Sequence, residues 1–203
     1  MKTYIFNNPE SVSERQFEQE LLPLLPSWRK EQALKYKHLL GRVLCAEAFL
    51  LLKEGLQNDF GINNEITFEY INNGKPILQG RPDLHFNLSH CKKGILCVID
   101  DKAPIGCDIE FRHRRINDNL ITHCCNETEI GIIRKSNDPD AEFIRIWTIK
   151  EAVLKCTGDG ITRNLRDLLT PERLSSLEIE THVCLENDFV YSICRNLKKI
   201  SSF

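Results

Sequence analysis

The stretch Trp147-Thr148-Ile149-Lys150-Glu151-Ala152-Val153-Leu154-Lys155 reads as a helix, and Gly106-Cys107-Asp108-Ile109-Glu110, earlier in the chain, reads as a strand. Together they offer three carboxylates and a lysine that can converge on one divalent cation and a phosphate. In the strand, Ile105, Cys107 and Ile109 alternate with Gly106, Asp108 and Glu110, the two-residue period of a pleated segment. Side chains two apart share a face, so Asp108 and Glu110 point the same way, about 6.6 Å apart at roughly 3.3 Å per residue. Carboxylates so spaced can both reach one ion with ligand distances of about 2.1 Å. A strand with one solvated face shows the same pattern, and the pair alone does not choose between the two.

In the helix, Ile146, Ile149, Val153 and Cys156 recur at helical spacing and are expected to face the core. Trp147, Glu151 and Lys155 form a second stripe, and Gly158 and Gly160 end the segment. Glu151 and Lys155 also stand in the favoured order for ordinary helix support of about 0.2–0.5 kcal/mol. Lys150 lies nearer the apolar face, where its stem is expected to pack and its head to snorkel outward.

Composition sets the frame. The 203 residues are 41% hydrophobic and 28% charged, with a formal net charge of −2. These are the proportions of a soluble globular protein of one large or two small domains. The charge gives no sign of nucleic-acid binding, and no run approaches the roughly 18 apolar residues of a membrane span. Met1 to Phe6 reads as a first strand, not a signal peptide. Nine cysteines are scattered without a Cys-x-x-Cys pair, which argues against a zinc ribbon or redox dithiol of that type. Cys97, Cys107 and Cys156 are read as small buried hydrophobes in a reducing, cytoplasmic setting.

Along the chain, residues 12–22 and 28–56 read as helices, the second ended by Gly55. Residues 66–71 alternate as a strand, Asn73-Gly74 signals a hairpin turn, and residues 86–89 and 95–99 read as strands. Residues 112–135 are polar and irregular, then helical. Residues 142–157 are the motif helix, and residues 178–185 and 189–194 form a closing hairpin.

Two more blocks precede the strand: Gly74-Lys75-Pro76 and Phe86-Asn87-Leu88-Ser89-His90. The ordered set resembles the 4′-phosphopantetheinyl transferases, in particular the Sfp-like, surfactin-synthetase-activating group. That pattern runs Gly-Lys-Pro, Phe-Asn-x-Ser-His, Gly-x-Asp-x-Glu, Trp-x-x-Lys-Glu-[Ala/Ser]-x-x-Lys. It spans residues 74–155 here with no substitution at the named positions.

The resemblance implies an α+β fold of two similar α/β subdomains in a pseudo-twofold arrangement. They would divide as residues 1–103, the wall of a coenzyme A pocket, and 104–203, carrying the metal and catalytic residues. No internal sequence repeat is apparent. The implied reaction moves 4′-phosphopantetheine from coenzyme A to a serine of an acyl or peptidyl carrier protein and depends on Mg2+. It releases adenosine 3′,5′-bisphosphate. By motif match, Asp108, Glu110 and Glu151 are the metal set, with Glu151 also the general base. Lys155 contacts phosphate charge, and His90 joins these two in the catalytic group. Gly74, Lys75, Pro76, Ser89, His90, Asp108 and Lys155 contact the coenzyme. The basic residues Arg29, Lys30, Lys35, Lys37 and Arg42 are candidates for its 3′-phosphate, with Lys37 foremost; the stretch before Leu39-Leu40-Gly41 is shorter than in the family. The protein is expected to act as a monomer.

One departure stands out. Where the family often carries aromatic residues before the carrier-receiving helix, this chain reads His123-Cys124-Cys125-Asn126-Glu127, which implies a shallower apolar contact. Two other readings stay open. A non-catalytic coenzyme A- or carrier-binding module would not need Asp108, Glu110, Glu151 and Lys155. A metal-dependent nucleotide phosphohydrolase would not need the Gly-Lys-Pro and Trp-x-x-Lys-Glu blocks.

Overall fold

In the computed structural model, which describes residues 1–71, 74–160 and 165–197, the chain repeats one topology. The first half opens with β1 (Lys2–Asn7), passes through helices, and closes with β4 (His85–Cys91) and β5 (Gly94–Asp100). The second opens with β6 (Ile105–Phe111), passes through helices, and closes with β7 (Leu177–Cys184) and β8 (Phe189–Asn196). The antiparallel sheets are ordered β1-β5-β4 and β6-β8-β7, so in each the last strand of the half is central. Each half is thus the same strand–helices–hairpin unit, an α+β architecture whose repetition lies in connectivity.

The helices between β1 and β4 begin with a short α1 (Glu14–Gln16), whose Ser13–Gln16 capping box closes its first turn. Residues Phe17–Leu21 widen into a π turn. The long helix expected over residues 28–56 is two, α2 (Ser27–Leu34) and α3 (Leu39–Phe60). Residues 35–38 between them are all exposed and bury nothing that would hold a continuous helix together. Gly55 does not end α3. A Cβ there would lie 2.7 Å from the Tyr4 ring, so the glycine lets the helix lie close on β1. The helix stops at Gly61, whose φ of 66° fits a left-handed cap. A small hairpin, β2 (Phe68–Ile71) and β3 (Lys75–Leu78), follows. Asn73 of the expected turn lies outside the described residues; Gly74 has φ 80°, a conformation open chiefly to glycine.

In the second half, α4 (Asp118–Cys124) and α5 (Glu127–Lys135) precede α6 (Pro139–Thr157). Asp138 caps α6 by accepting from the Ala141 amide, and Pro139 takes its first turn. Gly158, at φ 76°, ends it. A short α7 (Pro171–Leu174) precedes β7. Ile146, Val153 and Cys156 of α6 are buried as expected, but Ile149 is only half-buried. Thr148 is fully buried instead, its hydroxyl paired with Ser192 of β8 at 2.8 Å.

The halves join through a shared core of Leu96 and Val98 from β5, Ile105, Cys107 and Ile109 from β6, and Phe189 and Ile193 from β8. Asp100, fully buried, accepts from Arg195 Nε at 2.5 Å and from the Lys102 amide at 2.7 Å. That pair ties the connection between the halves to the last strand. Among the described residues, no helix is long and apolar enough to cross a membrane.

Candidate functional site

The edge strands β4 and β6 are stitched by side chains. Asn87 and Ser89, two apart on β4, share a face. Asn87 Oδ1 accepts from the Cys107 amide at 2.7 Å, and Ser89 Oγ accepts from the Ile109 amide at 3.4 Å. The Phe-Asn-x-Ser-His block therefore satisfies the open edge of β6, which would otherwise carry unpaired donors. Sequence reasoning left Asn87 out of the site. Its in-phase spacing with Ser89 is the signal that points to it.

On that seam lies Asp108, 5% exposed. Its Oδ1 accepts from Ser89 Oγ at 2.8 Å and from Lys155 Nζ at 2.6 Å, and Lys155 also donates to Ser89 Oγ at 3.1 Å. Lys155 arrives from α6 because α6 sits very close to β6 at Gly106. A Cβ at Gly106 would come within 2.2 Å of the Ala152 carbonyl oxygen and the Cys156 amide nitrogen. The expected helix-support pairing of Lys155 with Glu151 gives way to this cross-element pair with Asp108. Desolvation works against the Lys155 charge, but Asp108 more than offsets it and holds the ammonium above its usual pKa.

Glu151 lines a cleft of about 340 Å3 with Gly74, Lys75, Pro76, Asn87, Lys155 and Gly158. Burial raises the Glu151 carboxyl, Lys155 pulls it down, and the Asp108 charge raises it further. Glu110 is raised by burial and then by Asp108, opposed by Arg114 and Lys155. It lines a neighbouring cleft with His90, Lys92, His113 and Arg114. His90 is below its ordinary pKa, first because packing strips part of its hydration and also because Lys155 and Arg29 are near; its outer edge stays exposed.

Among the described residues, no three His, Cys, Asp or Glu side chains close to ligating distance of one another. The fit to a cation rests on charge. Asp108 Oδ2 is buried with no partner among the described residues, and Glu110 and Glu151 are both raised by the Asp108 charge. A buried acceptor beside two carboxylates under mutual repulsion suits a hard divalent ion with oxygen ligands.

Lys75 spans the halves. Its ammonium donates to the carbonyls of Lys155 at 2.6 Å, Ile105 at 3.1 Å and Cys156 at 3.5 Å. It thus caps the C-terminal end of α6, where a cation is favoured, and burial lowers its pKa. Lys37 is not among the residues lining this cleft and lies in the exposed connection 35–38. Arg29 donates to the Cys45 carbonyl and Gln32 and packs beside Trp28 and Phe49. Arg42 pairs with Glu14 and the Tyr36 carbonyl. These two basic residues already have structural partners.

Two expectations are corrected. Lys150 does not snorkel. It is 1% exposed and donates to Glu129 at 2.7 Å and to the Cys124 and Leu165 carbonyls at 2.8 Å each. Those acceptors use all three ammonium donors, so the lysine is drawn inward and binds α4, α5 and the chain at Leu165 to α6. Cys124 and Cys125, 2% and 1% exposed, belong to the core beneath α6. They offer no contact surface, because the end of α4 turns them inward.

With this geometry in view, comparison with known proteins shows what the chain is similar to. A family model described as the 4′-phosphopantetheinyl transferase superfamily matches residues 104–194, the half carrying Asp108, Glu110, Glu151 and Lys155. Over that half the chain is similar to this superfamily. It is 29% identical to the 4′-phosphopantetheinyl transferase psf-1 of Bacillus pumilus over 173 residues, covering 81% of this chain and 72% of that protein. It is 31% identical to the transferase Sfp of Bacillus subtilis over 137 residues, 66% of this chain and 57% of Sfp. With HetI of Nostoc sp. the identity is 35% over 122 residues, 56% of this chain and 52% of HetI.

Proposed function

We propose that the protein transfers 4′-phosphopantetheine from coenzyme A to a serine of an acyl or peptidyl carrier protein, releasing adenosine 3′,5′-bisphosphate. The observation that carries this reading is the Lys155–Asp108–Ser89 cluster beside Glu151, at a cleft lined by the Gly74-Lys75-Pro76 turn.

In this reading the first half, residues 1–103, forms the coenzyme wall and the second, from residue 104, supplies the chemistry. Coenzyme A lies along Gly74, Lys75, Pro76, Ser89 and His90, its diphosphate towards Lys155. The serine oxygen forms a new bond to the phosphorus bearing pantetheine, and the bridging P–O bond of the diphosphate breaks. Glu151 takes the serine proton. Its raised pKa makes it a stronger base than a free glutamate. Lys155, already positioned by Asp108 and Ser89, meets charge on the departing phosphate without further reorganisation. Asp108, Glu110 and Glu151 would hold Mg2+, which when bound would supply neutralisation of phosphate charge. This reading carries a cytoplasmic setting with it, since coenzyme A and the carrier protein would have to meet there.

The test is an incubation with coenzyme A, Mg2+ and an apo carrier protein, followed by intact mass. A gain equal to phosphopantetheine on the carrier is expected. No change on the carrier would favour a binding module, and coenzyme A cleavage without carrier would favour a phosphohydrolase.

A further inference from the structure

The last turn of α6 sets Cys156 against Cys194 of β8. Gly106 and Cys194 are opposite one another in the β6–β8 ladder, and opposed residues of an antiparallel pair project from the same face with Cβ atoms about 4.5–5.5 Å apart. On that face the Gly106 position runs into Cys156: a Cβ would lie 2.2 Å from its amide nitrogen and 2.8 Å from its Cα. Cys194 therefore has Cys156 as its neighbour in one core cluster, and the Cys156 thiol donates to the Pro104 carbonyl at 3.3 Å. Both cysteines are buried, at 4% and 0% exposure. The Cys156 thiol lies below its ordinary pKa, first through its interaction with Cys194 and then through the Lys75 ammonium, which sits on the Lys155 and Cys156 carbonyls; burial opposes both. Lys75, Lys155 and Gly158 line the cleft beside this pair. The transfer chemistry uses neither sulfur.

We propose that Cys156 and Cys194 are an oxidisable dithiol, closed by a small hydroperoxide into a disulfide that cross-links α6 to β8 and lowers transfer. The Cys156 thiolate attacks one peroxide oxygen, the O–O bond breaks, and a sulfenic acid and hydroxide result. The Cys194 sulfur then attacks the Cys156 sulfur, forming the S–S bond and expelling the second oxygen as water. Two thiols lose two protons and two electrons, and one hydrogen peroxide becomes two waters. Closure requires a Cβ–Cβ separation near 3.8 Å. The cross-link would tether the last turn of α6 to β8 beside Gly106, where the helix backbone already sits close on β6, and Lys155 is the residue next to Cys156.

The experiment uses the full chain carrying Cys91→Ser and Cys184→Ser, which removes the two partly exposed thiols. The protein is treated with hydrogen peroxide, unfolded, alkylated and digested without reductant. The expected product is the Cys156 peptide joined to the Cys194 peptide, lighter by two hydrogens than their sum. A roughly tenfold fall in kcat is expected with it, within the about hundredfold that roughly 1 Å of misplacement can cost. Dithiothreitol should reverse both, and Cys194→Ala in the same background should give no linked peptide. Recovery of both cysteines as alkylated thiols overturns the dithiol; a linked peptide with unchanged kcat overturns its coupling to Lys155. The activity arm rests on the transferase reading, whose own failure would show as no transfer by the reduced protein.

Discussion

Lys155 and Asp108 meet at 2.6 Å across the packed faces of α6 and β6, and the second Asp108 oxygen stays buried without a partner among the described residues. This pairing keeps the ammonium charged and aimed while leaving one acceptor for a cation. Lys155→Ala should lower kcat by about a hundredfold, the order seen when one preorganised transition-state donor is removed. KM for coenzyme A should change far less, because charge on the leaving phosphate grows after binding. If Lys155 merely supports the fold, kcat will hold while the melting temperature falls, so both quantities should be measured.

The pairing depends on Gly106. Gly106→Ala places a methyl group where the Ala152 carbonyl and the Cys156 amide already stand. These are backbone atoms that cannot rotate away, so α6 must lift from β6. A loss of about 1–3 kcal/mol is expected, as for other overpacked sites, read from the urea midpoint. The lift also separates Lys155 from Asp108, so transfer should fall in the variant even where it remains fully folded. A variant with wild-type midpoint and turnover would show that the helix has slack at this point.

Much of this was legible in the sequence, for physical reasons. Asp108 and Glu110 alternate with apolar residues, and Glu151 and Lys155 lie one helical turn apart. Local periodicity therefore placed their elements. Gly106 sat in the same motif, but its need arises from a helix remote in sequence, and alternation carries no trace of it. The Asn87 and Ser89 bonds to β6 are likewise non-local. Lys150 misled because an amphipathic side chain at the edge of an apolar stripe is ordinarily drawn to solvent; the acceptors that draw it inward come from Cys124, Glu129 and Leu165. The break at residues 35–38 was missed because helix-forming residues there conceal a stretch with nothing to bury. Gly55 was read as a stop because the Tyr4 ring that requires it belongs to the first strand.

Away from the site, Glu47 on α3 is pushed up to about 7, first by burial and then by Glu54 two turns along the helix. The folded state therefore binds this proton more tightly than the unfolded chain, whose value is near 4.5. Its contribution is fully present below about 4.5 and is lost as the pH rises through about 7. Glu47→Gln removes the ionisation. The melting temperature of the variant should gain on wild type between pH 5 and pH 8. An unchanging difference across that range would mean that Glu47 is well solvated.

The segment after Glu110 offers a test of carrier docking. Arg114 and Arg115 are exposed, whereas Arg112 is only partly so, its Nε buried. Arg114 and Glu110 line both clefts on this side of the site, one of them walled by Ile116, Leu120 and Trp147. A serine entering towards Glu151 is thus expected to bring its surroundings past these arginines, and an acidic partner surface would be drawn to them. Complementary charge of this kind acts mainly on the association rate and is screened over roughly 10 Å at 0.1 M salt. Reversing both residues, Arg114→Glu with Arg115→Glu, should raise KM for an acidic carrier about tenfold at low salt. The effect should shrink as salt is added, and KM for coenzyme A should stay near its wild-type value. Arg114 also lowers the Glu110 carboxyl, so Arg115→Glu alone is the cleaner variant for kcat. If both KM values are unchanged in low salt, the carrier approaches from the first half of the chain, and residues 112–135 are a solvated wall.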